Sequence, residues 1–318
     1  MVPPMPTLSV ISPVYNEAEV IAEFHDRLAR ALATLAGRYT PDILYVVDRS
    51  TDRTLDILKE IAARDSRVRL LALSARFGHQ MSLVAGMDHC DADAIVMLDC
   101  DLQHPPELIP ALVAEFEKGT DIVYTIREDG AGTGLFKRLT SRLFYRFINT
   151  LSHIPIQEGA ADYRLISRRV AAVFKTQIRE RNQFLRGLFS WVGFRRIGIP
   201  FEVQRRGGGR SKYSLKRLVR FAFEGITSFS RRPLQAAIAV GFLFALSGLV
   251  LAAVTTWQYF FLAKLPPGWA TLVILLAVFN GIQLIFLGII GEYIGSIFDE
   301  VKGRPLYIVE ERINFPGG

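Results

Sequence analysis

Two long stretches without a single charged residue constrain this chain more than anything else in it. No Asp, Glu, Lys or Arg occurs from Pro233 to Ala263, and none from Leu265 to Gly291. A helix crossing the apolar core of a bilayer needs about 20 apolar residues, and both stretches exceed that length. A core helix of a soluble protein is normally shorter and keeps a polar face. The pair therefore predicts two transmembrane helices, over 233–263 and 268–297. Lys264-Leu265-Pro266-Pro267-Gly268 has the composition of a tight turn between them.

Charge placement orients the pair. Hydrophobic residues make up 50% of the chain and charged residues 22%, so a polar part must accompany the apolar one. The net charge of +7 is concentrated: Gln204 to Arg232 holds nine Lys or Arg and one acid, Glu224. Basic residues flanking a span stay on the cytoplasmic side. The connecting turn carries only Lys264, and two crossings return the tail, 298–318, to the same face. Within the basic stretch, Leu215, Leu218, Val219, Ala222 and Ile226 share one helical face between Tyr213 and Ser230. This predicts a juxtamembrane amphipathic helix, 211–232, lying in the interface plane. Anionic headgroups account for the basic patch, and nucleic acid is not an expected partner. Met1–Thr7 is short and Pro-rich, unlike a signal peptide, so the N-terminus is expected in the cytosol. Cys90 and Cys100 are too few for a disulfide framework.

Ahead of the spans, residues 7 to about 125 alternate short apolar runs with amphipathic ones. Strands are expected at Leu8–Ile11, Ile43–Val47, Val68–Leu73, Ala94–Leu98 and Ile122–Thr125. Helices are expected at Glu17 to about Leu35, Thr51–Ala63, Gln80–Cys90 and Pro106–Lys118. Such alternation implies an α/β fold with a mostly parallel sheet, and ligands of these sheets bind beyond the C-terminal strand ends. Past residue 130 the pattern loosens, with a further helix expected at Phe136–Asn149. Trp191 and Trp257 read as core and bilayer packing. His79, His89, His104 and His153 show no ligand spacing.

The polar residues after the strands carry the chemistry. Asp99-Cys100-Asp101-Leu102-Gln103 follows the fourth strand. Two carboxylates two residues apart can face one hard cation, Mg²⁺ or Mn²⁺, whose shell phosphate oxygens and water complete. An acidic turn capping the next helix has the same sequence. Ser12-Pro13-Val14-Tyr15-Asn16-Glu17, Asp48-Arg49-Ser50-Thr51-Asp52 and Ser74-Ala75-Arg76-Phe77-Gly78-His79-Gln80 follow the first three strands. Each alone is ordinary turn or N-cap chemistry. Together, at one edge of one sheet, they make a nucleotide site.

These motifs resemble glycosyltransferase family 2, and within it the polyprenyl-phosphate glycosyltransferases of the dolichyl-phosphate mannose synthase and bacterial undecaprenyl-phosphate sugar transferase type. The matching stretches run over nearly the whole chain: Pro-Val-Tyr-Asn-Glu at 13–17, Asp-x-Asp-Leu-Gln-x-Pro-Pro-Glu at 99–107, Ala-Asp-Tyr-Arg-Leu at 161–165, Phe-Leu-Arg-Gly at 184–187, Ser-Lys-Tyr at 211–213 and Gly-Glu-Tyr-Ile at 291–294. The resemblance implies a GT-A (Rossmann-like) catalytic domain, 1–210. It implies that Pro13, Tyr15, Glu17, Asp48, Arg76 and Asp99 bind the nucleotide, and that Asp99, Asp101 and Gln103 hold the metal. Asp162 would be catalytic, either as proton acceptor or by orienting Arg164, the metal or the sugar; a purely structural pairing with Arg164 or Arg168 is the alternative. Arg127, Lys137, Ser141, Arg206, Ser211 and Lys212 would receive the acceptor phosphate or the donor diphosphate. Two departures stand out: the usual Asp-Asp-Gly-Ser after the second strand is Val47-Asp48-Arg49-Ser50 here, and the Arg of the third strand's motif is displaced to Arg76.

The expected activity is inverting, metal-dependent transfer of glucose from UDP-glucose to undecaprenyl phosphate at the cytoplasmic membrane face. GDP-mannose-dependent mannosyl transfer and a non-catalytic lipid-carrier binding protein are the alternatives. A homo-oligomer is expected from the same resemblance.

Overall fold

The computed structural model describes residues 4–128, 159–202, 232–262 and 268–315. The expected helices at 136–149 and 211–232 lie outside the described residues, as do Lys137, Ser141, Arg206, Ser211 and Lys212. The chain divides into two compact units, one built on a sheet and one on two long helices.

The sheet unit follows the alternation of its sequence: β1 (Thr7–Val14), α1 (Ile21–Ala33), β2 (Thr40–Val47), α2 (Thr54–Arg64), β3 (Val68–Leu73), α3 (His79–Asp88), β4 (Ala94–Met97), a short 3₁₀ turn (Pro106–Leu108) and α4 (Ile109–Phe116). Then come β5 (Ile122–Glu128), β6 (Ala160–Ser167), α5 (Arg168–Thr176), α6 (Leu185–Trp191) and β7 (Arg196–Glu202). The eight-stranded sheet has the order β7-β5-β6-β4-β1-β2-β3-β8, where β8 (Val309–Ile313) comes from the C-terminal tail. β1 pairs in parallel with β2 and β4, β2 with β3, and β5 with β7. Only β6 and β8 run against the rest.

Sequence explains the layering. β1 and β2 are central and covered on both faces, so they read as near-continuous apolar runs rather than alternating ones. Leu8, Val10, Ile11, Ile43, Leu44 and Val46 are fully buried. α1 buries Ile21, Phe24, Leu28 and Leu32, the i, i+3, i+4 spacing of one helical face. α3 lies so close to the sheet that a Cβ on Gly86 would sit 2.3 Å from Ile11 Cγ2. Ser167 caps α5 by accepting from the Val170 N–H at 3.4 Å.

The second unit contains α7 (Arg232–Leu262) and α8 (Trp269–Val301). Their 31 and 33 residues extend roughly 46 and 50 Å at 1.5 Å per residue. Within them, Ala237–Gln258 and Val278–Val301 are long and apolar enough to cross a membrane. Phe242 and Phe260 are 71% and 73% exposed. Among the described residues little covers these two helices, and helices apolar on every face suit a lipid surrounding. Phe244 meets Phe279 edge-on, with centroids 5.1 Å apart, and Trp257 stacks on Phe261. Trp191 departs from expectation. It ends α6 and is 62% exposed rather than part of the core.

Candidate active site

The sheet changes direction of growth at β1. From there the chain adds β2 and β3 on one side and β4 on the other. At such a switch point the loops leaving the C-terminal strand ends part and open a crevice. The register brings Ile11 beside Met97, so Pro13–Glu17 and Asp99–Gln103 emerge side by side. Cys100 sits between them, buried, its thiol donating to Pro13 O at 3.6 Å. Burial pushes that thiol well above its usual range, with nearby Glu17 and Asp99 adding to the effect, so it stays protonated and serves packing.

Side-chain bonds lace the first three loops together. Asn16, in the left-handed region at φ 54, accepts from Thr51 N at 2.8 Å and donates its own N–H to Ser50 Oγ at 3.1 Å. Glu17 N donates to Thr54 Oγ1 at 2.9 Å. Asp48 is 4% exposed, and its carboxylate accepts from Phe77 N at 2.7 Å and Gly78 N at 2.9 Å. Gly78 has φ 96, a conformation open to glycine at little cost. Asp48 therefore acts on the shape of the loop after β3. That loop carries Arg76, whose guanidinium lies 4.0 Å over the Tyr15 ring. Two residues expected at the nucleotide thus form one stacked platform.

The acidic turn after β4 holds the hard oxygen donors. Asp101 Oδ1 accepts from Gln103 N at 3.1 Å around Leu102, whose φ is 60. Gln103 Oε1 accepts from Arg127 Nη2 at 3.2 Å, tying the end of β5 to this turn. Asp99 faces two imidazoles, with His79 Nε2 3.6 Å from Oδ1 and His104 Nδ1 3.7 Å from Oδ2. His104 is 3% exposed, and neither ring nitrogen has a hydrogen-bond partner among the described residues. Burial lowers its pKa, with Asp99 opposing, so the ring is neutral at physiological pH. An orphaned buried nitrogen aimed at Asp99 leaves that carboxylate free to shift and gain a bond. Two carboxylates, one with this slack, suit a small divalent cation that completes its shell with diphosphate oxygens and water.

β6 supplies the opposite wall. It pairs antiparallel with β4, Met97 beside Arg164, and two further steps of that register set Asp162 across from Asp99. Arg186 of α6 grips Asp162 with two bonds, Nε–Oδ1 at 2.8 Å and Nη2–Oδ2 at 2.6 Å. Arg164 Nη2 lies 3.3 Å from Oδ1, and its guanidinium stacks 4.4 Å over the Phe189 ring. His79 Nε2 is 3.9 Å from Oδ2 and so stands between the two aspartates. Burial by itself would raise the Asp162 pKa. The guanidinium of Arg186, with that of Arg164, outweighs it and holds the carboxyl well below the usual carboxylate range. Burial pushes Arg164 down to about 10, which leaves it charged at neutral pH.

The fold thus gathers Pro13, Tyr15, Glu17, Asp48, Arg76, Asp99, Asp101, Gln103, Arg127 and Asp162 along one edge of the sheet. Arg168, one expected partner of Asp162, instead pairs with Asp93 at 3.2 Å. Three residues given no role by the sequence join the site: His79, His104 and Arg186. Arg186 lies in the Phe-Leu-Arg-Gly motif, and that motif was the signal available. The histidines are spaced by the sheet and not by the sequence.

The profile of Glycosyl transferase family 2 matches residues 9–174. An uncharacterized glycosyltransferase of Bacillus subtilis is 39% identical over 95% of this chain and 93% of its own length. The SfII prophage-derived bactoprenol glucosyl transferase of Shigella flexneri is 36% identical over 96% of this chain and 97% of its own. Among solved structures, mannosyl-3-phosphoglycerate synthase from Rubrobacter xylanophilus superposes with a TM-score of 0.48 at 17% identity, covering 73% of this chain and 75% of that one.

Proposed function

Since the chain belongs to glycosyl transferase family 2, we propose that it transfers glucose from UDP-glucose to a polyprenyl phosphate, undecaprenyl phosphate in the first instance, at the cytoplasmic face of a membrane. The observation that carries this reading is the meeting of the Asp99–Asp101 turn with the Arg186–Asp162–Arg164 cluster, in a chain that also holds two bilayer-length apolar helices. Its likeness to bactoprenol glucosyl transferases over nearly the whole length supports the acceptor and the sugar.

The chemistry is one displacement. A bond forms between an acceptor phosphate oxygen and the anomeric carbon. The bond from that carbon to the diphosphate oxygen breaks, the electron pair leaves with UDP, and the configuration inverts. A phosphate monoester has a second pKa of about 6 and is largely dianionic at neutral pH, so the nucleophile needs no base. Asp162, ionised and saturated by two guanidiniums, has little affinity for a proton and acts as an orienting anion. It holds Arg186 and Arg164 where negative charge gathers, and preorganised charge of this kind stabilises a transition state strongly.

Tyr15 and Arg76 offer the flat surface for the base. Asp99, Asp101 and Gln103 would hold Mg²⁺ or Mn²⁺, which supplies Lewis-acid neutralisation of the leaving diphosphate. Arg127, with Lys137, Ser141, Arg206, Ser211 and Lys212, would receive phosphate oxygens. The catalytic domain comprises 1–210, completed by β8 of the tail, and is followed by the juxtamembrane segment 211–232. β8 supports the orientation. Residues on either side of the two helices enter one sheet, so any membrane is crossed an even number of times and both flanks share a face.

The test is transfer of radiolabelled sugar into organic-extractable lipid by purified protein with undecaprenyl phosphate and Mn²⁺. UDP-glucose and GDP-mannose are supplied separately, with Asp101→Asn as control. Label from UDP-glucose that needs Asp101 is expected. Label from GDP-mannose alone would overturn the donor, and label that persists in the variant would overturn the site.

A further inference from the structure

The residues after α8 do more than end the chain. β8 pairs antiparallel with β3, Leu70 beside Ile313 and Leu71 beside Arg312. Two of the tail's contacts reach the loops that shape the nucleotide end of the site. Ser74, the first residue past β3, donates its N–H to Ile308 O at 3.0 Å. The carbonyl of the same Ser74 accepts from Arg49 Nη1 at 2.5 Å, and Arg49 Nη1 also lies 3.5 Å from Glu310 Oε2. Two residues beyond Ser74 is Arg76, stacked on Tyr15. One residue before Arg49 is Asp48, which holds Phe77 and Gly78.

Arg49 is also conformationally unusual. Its φ is 46, in the left-handed region that glycine enters freely and a residue with a side chain enters at a cost. A guanidinium kept at such a position, and bonded to two neighbouring segments, points to a job for that side chain. Elsewhere the tail is anchored independently. Lys59 pairs with Glu311 at 2.7 Å, Tyr307 Oη donates to Asp88 at 2.8 Å at the end of α3, and Asn314 Nδ2 donates to Ala62 O and Val68 O.

We propose that the C-terminal strand is part of the donor-site scaffold: Ile308 and Glu310 fix Ser74 and Arg49, which set the Tyr15–Arg76 platform, so the tail determines nucleotide affinity. The inference rests on the reading of that platform as the nucleotide end. Arg49, Glu310 and Ser74 are positioning residues, since they act through the loops and not on the reacting atoms. The segment that leaves the second helix thereby also shapes the pocket for the soluble substrate.

The experiment is calorimetric titration of the full-length detergent-solubilised protein with UDP and Mn²⁺, alongside KM and kcat for the donor. The variants are Arg49→Gly, Glu310→Gln, the double variant and Lys59→Gln. Glycine fits the Arg49 backbone, so that variant should fold with an unchanged Tm. The pair is half-exposed, so each single change is expected to weaken UDP by about threefold to fivefold. The donor KM should rise by a like factor at nearly constant kcat. The double variant should be no weaker than Arg49→Gly alone, as residues acting through one contact are non-additive. Lys59→Gln loosens the tail elsewhere and should bind UDP as the wild type does. Unchanged UDP affinity in both singles, additive effects in the double, or equal weakening in Lys59→Gln would each overturn the proposal. Binding needs no lipid acceptor, so a wild-type protein that binds UDP but glucosylates no lipid would sink the proposed activity and leave this inference standing.

Discussion

Replacing Asp162 by Asn separates an orienting anion from a general base. The amide keeps the size and can still accept a hydrogen bond, but it removes the charge that two guanidiniums share. Arg164, with only 5% of its side chain exposed, is then left without its counter-charge. Removing one partner of a buried ion pair costs about 3–5 kcal/mol. Arg186 is 29% exposed and Asp162 15%, so water relieves part of this, and about 2–3 kcal/mol is expected. At roughly 2–4 °C per kcal/mol for a domain of this size, the melting temperature should fall by about 4–12 °C. Tryptophan fluorescence follows this well, because Trp191 ends the helix that carries Arg186. The pH dependence has a definite sign. The folded Asp162 pKa lies below its unfolded value of about 3.9, so the stabilisation is complete at neutral pH and disappears only as pH falls through the folded value. The stability gap between wild type and variant should be flat from about pH 5 to 9 and shrink in acid. Transfer should drop by about 10- to 100-fold through misplaced guanidiniums, with the shape of the pH–rate profile unchanged. A variant of wild-type stability whose profile loses its acidic limb would refute the orienting role.

Asp101→Asn should lower transfer by about 10²-fold or more while leaving the melting temperature near that of wild type, because this carboxylate lies in a partly exposed turn; activity and thermal unfolding of one preparation check both. Gly86→Ala forces a methyl to 2.3 Å from Ile11 Cγ2 and should destabilise the sheet unit by about 1–3 kcal/mol, read by denaturant unfolding. Leu249→Arg, mid-way along the first apolar helix and 69% exposed, should cost about 2.5–3.5 kcal/mol of insertion and reduce the fraction resisting carbonate extraction. Asp65, Glu107 and Asp121 are held below the usual carboxylate range by bonds from Arg67, Arg27 and Arg169 respectively. Their stabilisation is present at neutral pH and lost below about pH 4, so unfolding midpoints should be flat from pH 6 to 8 and fall steeply in acid.

Local pattern made part of this legible. The central strands are buried on both faces and stand out as apolar runs; Val68–Leu73 is found where the sequence puts it, and β1 and β2 differ only by extra residues at their ends. Each polar cluster falls at a strand end, where the alternation of the sequence puts it. What the sequence hides is pairing at long range. β8 is a five-residue stretch with three charges, Glu310, Glu311 and Arg312, and reads as a solvated tail until β3 offers it an edge. Asp162 was marked by its motif, but its partner Arg186 is brought to it by α6 folding back over the sheet. His79 and His104 share no spacing with each other, yet meet at Asp99 because one begins a helix and the other follows a strand. Arg49 stands as a departure from the resembling motif, and its partners, Ser74 and Glu310, lie too far along the chain for the sequence to pair them with it.

The most direct measurement of the central claim is mass spectrometry of the lipid product after incubation of the purified protein with UDP-glucose, undecaprenyl phosphate and Mn²⁺. The expected product is undecaprenyl phosphate heavier by one hexosyl residue, formed in equal amount with UDP and reduced by about 10²-fold or more with Asp101→Asn. UDP released with free glucose and no change in the lipid would contradict it, since the phosphate would then not be the nucleophile.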